Sequence, residues 1–162
     1  MAVDQFFKIG DIKGESQDDK HKDEIDVLAW SWGVSNSGST HMGGGSGAGK
    51  ANFQDISFTK YIDKSSPILL QHCATGKHIG EAKLVVRKAG GTQMEYILLH
   101  IKDLIVSSIS NGGSGGEDRL TENITLNFGS FHMKYTEQLK TGGAGALPEF
   151  KYDIAANKAD SF

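Results

Sequence analysis

Apolar positions recur with period two over most of the chain, and the segments that show it predict strands. From Asp26 to Asn36, Leu28, Trp30, Trp32 and Val34 hold one parity, and the small residues Ala29, Ser31, Gly33 and Ser35 the other. Successive side chains of a strand point to opposite faces. The bulky set is therefore expected in the core, and the small set against water or another chain. Ile56, Phe58 and Ile62 alternate along a second strand whose face Lys60 interrupts. Ala82, Leu84 and Val86 form a third, with Lys83 and Arg87 facing away. Ile97, Leu99, Ile101 and Ile105 mark a long fourth strand; Asp103 breaks its face, so a bulge is expected near Lys102–Asp103. In the fifth, Ile124, Leu126 and Phe128 are even-numbered but Phe131, Met133 and Tyr135 are odd. That change of parity at Gly129 predicts a bulge and a bend, letting one strand serve two sheets. Phe150, Tyr152 and Ile154 alternate along a last strand.

One segment has helical spacing. Ser66 suits the N-cap, Pro67 the first helical position and Gly76 the stop, with Leu69, Leu70, Cys73 and Ala74 on one face. One short helix over residues 66–75 among many strands predicts a mainly β fold, closed or sandwiched. A length of 162 residues predicts a single domain over 1–162.

Composition refines this picture in three ways. The chain has 21 glycines and two prolines; an average share would be about 7%. The excess falls at Gly43–Gly49, Gly112–Gly116 and Gly142–Gly145, which predicts long Gly-rich loops, including one from Ser35 to Asn52. The net charge is −3 with lysines and acids interleaved, so neither a basic stripe for nucleic acid nor a polybasic membrane patch is expected. The opening Met-Ala-Val-Asp-Gln-Phe-Phe-Lys lacks the pattern of a signal peptide, and Tyr96–Leu99 is too short to span a bilayer. A soluble chain made in the cytoplasm is expected, and its single cysteine, Cys73, suits a reducing compartment.

Candidate chemistry is sparse. Gly44 to Lys50 matches a phosphate-binding loop, but Ala51 stands where a magnesium-binding hydroxyl is needed, and a strand pattern follows instead of a helix. Asn111 to Asp118 resembles one copy of a calcium-binding glycine repeat, which needs tandem copies, so a hairpin loop is expected. Glu15, Asp18, Asp19, Asp23 and Glu24 lack the spacing of a calcium loop and predict a solvated segment. His72, Cys73 and His78 could be drawn as a metal site, but a packed thiol beside unrelated histidines is the expectation. No serine sits in a nucleophile elbow. The residues thus predict no enzyme, no cofactor and no metal.

Longer motifs are more specific. Met1 to Asp4 leading to Phe7–Ser16, Glu24–Gly33, Phe58–Asp63, Ala82–Leu84 with Arg87–Gly91, and Glu117–Glu122 occur in order. Together they make residues 1 to 136 resemble the hemolysin-coregulated protein family, the tube subunits of bacterial type VI secretion. The resemblance implies a small barrel of two β-sheets with one flanking helix, and six copies closing into rings that stack into a tube. It also implies a contractile sheath and a spike as partners, export without a cleaved signal peptide, and a lumen that holds effector proteins. Some members carry an enzymatic extension; the chain runs to Phe162, and no appended toxin domain is expected. Ala29, Ser31 and Gly33 are the candidate lumen face, and His41, Met42, Gly43, Gly44, Gly45, Ser46 and Gly47 the candidate ring-contact or stacking loop. The alternative is a monomeric β-barrel that binds a small ligand in an apolar internal pocket.

Overall fold

The structure, a computed structural model, describes residues 2–38, 48–88 and 93–162. The strands are β1 (Val3–Ile9), β2 (Ile25–Asp26), β3 (Ala29–Ser31), β4 (Val34–Gly38), β5 (Ala48–Phe53), β6 (Ile56–Tyr61), β7 (Ile79–Lys88), β8 (Glu95–Asn111), β9 (Thr121–Tyr135), β10 (Glu149–Asp153) and β11 (Lys158–Ala159). One helix, α1 (Ser66–Thr75), precedes β7. The fold is mainly β, in two sheets, with the single short helix expected from the sequence.

The large sheet runs β11-β10-β9-β8-β7-β1-β2, and β9 also pairs with β6, which carries β3. It wraps toward a barrel because segment 25–31 bonds both ends. Ile25 pairs with Phe7 of β1, and Ala29 with Thr59 of β6. Between them the Val27 N–H donates to the Gln5 carbonyl and the Leu28 N–H to the Thr59 carbonyl. β2 and β3 are so short that the ladder does not close continuously there. Phe7 and Phe58 meet at 4.9 Å inside, so the inner faces of the two halves pack together and their outer faces point apart.

The parity change is borne out, and its geometry is a paired one. β9 pairs with β6 over Thr121–Leu126 and with β10 over Ser130–Lys134, so one strand does serve both halves. In β8 the buried set passes from Leu99 and Ile101 to Leu104 and Val106 opposite the same point. The β8–β9 register is therefore the same on both sides, Ile101 facing Phe131 and Leu104 facing Phe128. Each strand inserts one residue, Asp103 and Gly129, and the two insertions cancel. Asp103 has φ +52, a conformation aspartate tolerates better than most residues. A Cβ on Gly129 would lie 3.4 Å from the Asp103 Cβ, an ordinary contact. A true register shift occurs farther along β8, between Val106 and Ser108.

Other expectations need correction. Trp30 and Trp32 pack against the core, but Leu28 is 42% and Val34 55% exposed. The alternation read as one strand crosses β3, a link and β4, and the chain leaves the barrel after Ser31. The loop expected from Ser35 to Asn52 is a β-hairpin at both ends, with β4 paired to β5. Its candidate residues His41, Met42, Gly43, Gly44, Gly45, Ser46 and Gly47 lie outside the described residues. Ser65, not Ser66, is the N-cap, and it makes no capping bond. Gly76 ends the helix in the left-handed region, as expected. Leu69 is buried, whereas Leu70 faces out. Behind β9 a second aromatic layer joins Trp32, Phe53, Phe131, Phe150 and Tyr152, and it ties the segment after Thr136 to the rest of the chain.

Candidate functional site

The small residues of β3 point outward and continue across neighbouring strands. Ser31 is opposite Ser57 of β6, Ser57 opposite Thr125 of β9, and Thr125 opposite Ser108 of β8. The adjacent row is Ala29, Thr59, Asn123 and Ser110. Neither row contains a charged side chain. Directly opposed positions share a face, so the alternation that buries Ile56, Phe58, Ile124 and Leu126 presents these residues outward.

Several polar groups of this face bond one another. Thr59 Oγ1 donates to Asn123 Oδ1 at 2.6 Å. The β8 register shift brings both Ser107 and Ser108 within hydrogen-bond distance of Thr125 Oγ1, at 2.7 and 2.6 Å. Ser107 Oγ and Asn127 Nδ2 donate to the two oxygens of Asp55, at 2.6 and 2.9 Å. The two rows themselves thus present polar but uncharged groups, with the Asp55 carboxylate beside them held by Ser107 and Asn127. Of the candidates named from sequence, Ala29 and Ser31 belong to this face. Gly33 lies in the link between β3 and β4, where its carbonyl accepts the Gln54 N–H. Ser57, Thr59, Ser107, Ser108, Ser110, Asn123 and Thr125 were not singled out, although their signal was present as the polar parity of strands read for their apolar parity.

Two buried charge networks hold the frame. Lys60 is fully buried on the core side of β6. Its Nζ donates to Asp63 at 2.9 Å, the Tyr61 carbonyl at 2.8 Å and Ser66 Oγ at 3.1 Å, and is ion-paired with Glu122 at 2.6 Å. Ser66 Oγ in turn donates to Glu122 at 2.5 Å and accepts the Asp63 N–H, which occupies the hydroxyl expected to cap the helix. In the second network the buried Arg87 binds Asp18 and Asp4 and lies 5.0 Å over the Phe6 ring. The Arg87 hydrogen bond holds the Asp18 carboxyl below the usual carboxylate range. Phe6 stacks on His21 at 4.4 Å, and His21 bridges Glu24 and Glu95. The acidic segment expected to be solvated is thus the tether of the 15–24 loop: Asp18 to Arg87, Glu24 to His21, and Glu15 to the Lys64 N–H.

These networks also line a cavity of about 460 Å³ beside Asp4, Glu15, Asp18, Asp26, Asp63 and Arg119, where burial raises the Asp26 carboxyl above the usual carboxylate range. Four of its carboxylates are already engaged by Arg87, the Lys64 N–H and Lys60. Among the described residues no group of three His, Cys, Asp or Glu side chains could hold a metal. His72 Nδ1 lies 2.8 Å from the Ile68 carbonyl of its own helix. Lys50 and Ala51, the end of the phosphate-loop match, lie within strand β5.

The wrapped β fold, with its second sheet and one short helix among the described residues, is the architecture of solved type VI secretion proteins. The profile described as "Type VI secretion system effector, Hcp" matches residues 6–135. The chain belongs to that family. It is 59% identical over 159 residues to protein hcp1 of Pseudomonas aeruginosa, covering 97% of this chain and 98% of that one. The crystal structure of Hcp1 from Salmonella typhimurium superposes with a TM-score of 0.80 at 39% identity, covering 98% of this chain and 99% of the other. A structure described as a type six secretion system protein reaches a TM-score of 0.92 at 29% identity, covering 98% and 100%.

Proposed function

We propose that this chain, as a single domain over 1–162, is the repeating subunit of the type VI inner tube. Six copies close into a ring, rings stack into a tube, residues His41 to Gly47 make a contact within or between rings, and the hydroxyl face lines the lumen. Effector proteins ride in that lumen, protected from the outside. Sheath and spike act on the stacked tube, which leaves the cell without a cleaved signal peptide. The subunit performs no catalysis.

The observation that carries this reading is the charge-free double row headed by Ala29 and Ser31. A conduit for varied cargo needs a wall that stays hydrated and offers no fixed charge for cargo to stick to. A ring also uses two different patches of each subunit, head to tail, which leaves the outer faces of the sheet free for lumen and exterior.

Light scattering behind a sizing column tests the ring: a mass near six times 17.4 kDa is expected. A stable monomer that binds a small ligand would favour the monomeric binding module instead. Ser31→Tyr tests the lumen: ring mass should be unchanged and effector co-purification reduced. Unchanged co-purification would remove Ser31 from the lumen wall. Deleting Gly43–Gly47 should impair tube formation and leave the subunit folded; unchanged assembly would remove this segment from the contacts.

A further inference from the structure

We propose that Asn111 is a site of covalent self-modification: its side-chain amide is lost through a cyclic imide formed with the main-chain nitrogen of Gly112, leaving aspartate or isoaspartate at the end of β8. Nothing in this chemistry depends on assembly into a tube. Asn111 is the last residue of β8, and its pairing with Glu122 is the last of the β8–β9 ladder. The chain leaves the sheet at Gly112, and both residues are exposed. Among the described residues no main-chain carbonyl accepts the Gly112 N–H. Of the six asparagines in the chain, only Asn111 precedes glycine.

A main-chain nitrogen reaches the Cγ of the preceding asparagine only by rotating out of the extended conformation of a strand. Glycine, lacking a Cβ, permits that rotation. The other five asparagines are followed by Ser37, Phe53, Ile124, Phe128 and Lys158, and Asn36, Asn52, Asn123 and Asn127 are also paired within strands. The step balances without an oxidant or a catalyst. The Gly112 nitrogen bonds to Cγ and gives up its proton, and the side-chain nitrogen leaves with that proton as ammonia. Water then opens the five-membered imide. Breaking the new bond to Cγ gives aspartate; breaking the original peptide bond gives isoaspartate, with the main chain routed through the side chain. An open cavity of about 350 Å³, lined by Asn111, Gly112, Glu117 and Thr121 among others, admits the water. The preceding Ser110 belongs to the uncharged outer row, so the new carboxylate brings negative charge to the end of that row. Isoaspartate also lengthens the main chain by a carbon where Asn111 pairs with Glu122.

The test follows the purified full chain over days in mildly alkaline buffer at body temperature, by peptide mapping that separates aspartate from isoaspartate. The peptide carrying Asn111 should gain the mass of OH over NH2 and split into both acidic forms before any other asparagine peptide changes. The intact chain should acquire one negative charge, read by ion exchange. Gly112→Ala is the control variant, because Gly112 has no positive φ and a Cβ there would meet nothing within 4 Å. It should slow the loss about tenfold by restricting the rotation the imide needs, with circular dichroism unchanged. The chain held in denaturant supplies the rate of the unfolded site. A folded chain that keeps the Asn111 amide while the denatured chain loses it overturns the proposal, since the hairpin end would then protect the site. So does earlier loss at Asn36 or Asn157, or a rate unaltered in Gly112→Ala. A product that is aspartate alone defeats it as well, because direct attack of water on the side chain makes no isoaspartate.

Discussion

Replacing Lys60 with methionine should be among the most damaging single changes in the barrel. Methionine keeps the length of the side chain, so little packing is lost, but the cation disappears from a fully buried site. Glu122, also fully buried, then loses its 2.6 Å partner. Its second oxygen, Oε2, already has no hydrogen-bond partner, so only the Ser66 hydroxyl would remain to it. Breaking a buried pair from one side costs about 3–5 kcal/mol. At about 2–4 °C per kcal/mol for a chain of this size, the melting temperature should fall by about 6–20 °C. Replacing both partners, Lys60→Met with Glu122→Leu, should recover most of the loss, because a buried pair and an apolar pair of similar volume are often nearly equivalent. Denaturant unfolding of both singles and the double, at one protein concentration because assembly shifts apparent stability, closes the cycle. A Lys60→Met loss under about 1 kcal/mol, the range of an exposed pair, would refute the reasoning.

Three further outcomes are expected. Arg87→Met should strand Asp18 and Asp4 and free the 15–24 loop, read as faster amide exchange at Ser16–Glu24 with the β8–β9 ladder still protected. Mild acid should loosen the Glu81–His100 corner. The hydrogen bond from His100 lowers the Glu81 carboxyl, whereas burial, aided by Lys83 and Lys102, outweighs Glu81 and lowers His100. For Glu81 the stabilisation is present above its ordinary range near 4.5 and is lost as pH falls through the depressed value. For His100 the unfolded chain takes up its proton first, so stability declines as pH drops below about 6.5; a melting temperature flat from pH 7 to 4 in wild type, or a slope unaltered in His100→Gln, would contradict this. Phe131→Ala should cost about 3–5 kcal/mol, since its ring joins the core to Trp32, Phe53 and the β10 aromatics.

Most of the long strands, the helix and its stop at Gly76, and the change of facing at Gly129 were legible from the sequence by itself; the matching change in β8 was not, since Ile105 read as sharing the face of Leu99 and Ile101 whereas Leu104 and Val106 are the buried residues. Each is a local consequence of burying one side of an element, and burial imposes a period that shows in consecutive residues. Residue type also marked Ala29 and Ser31 as a small outward pair. Tertiary structure decided which positions of different strands share a row. Ser31, Ser57, Thr125 and Ser108 are neighbours only because β3, β6, β9 and β8 pair in one register, and nothing within any single strand encodes its partner's alignment. It likewise decided that Lys60, which reads as a break in an apolar face, is buried on that face, because only the folded chain brings Glu122 and Asp63 to neutralise it. The alternation from Leu28 to Val34 misled for a related reason: side chains alternate along any extended chain, but a face is buried only where another layer covers it, and that cover ends where the chain leaves β3.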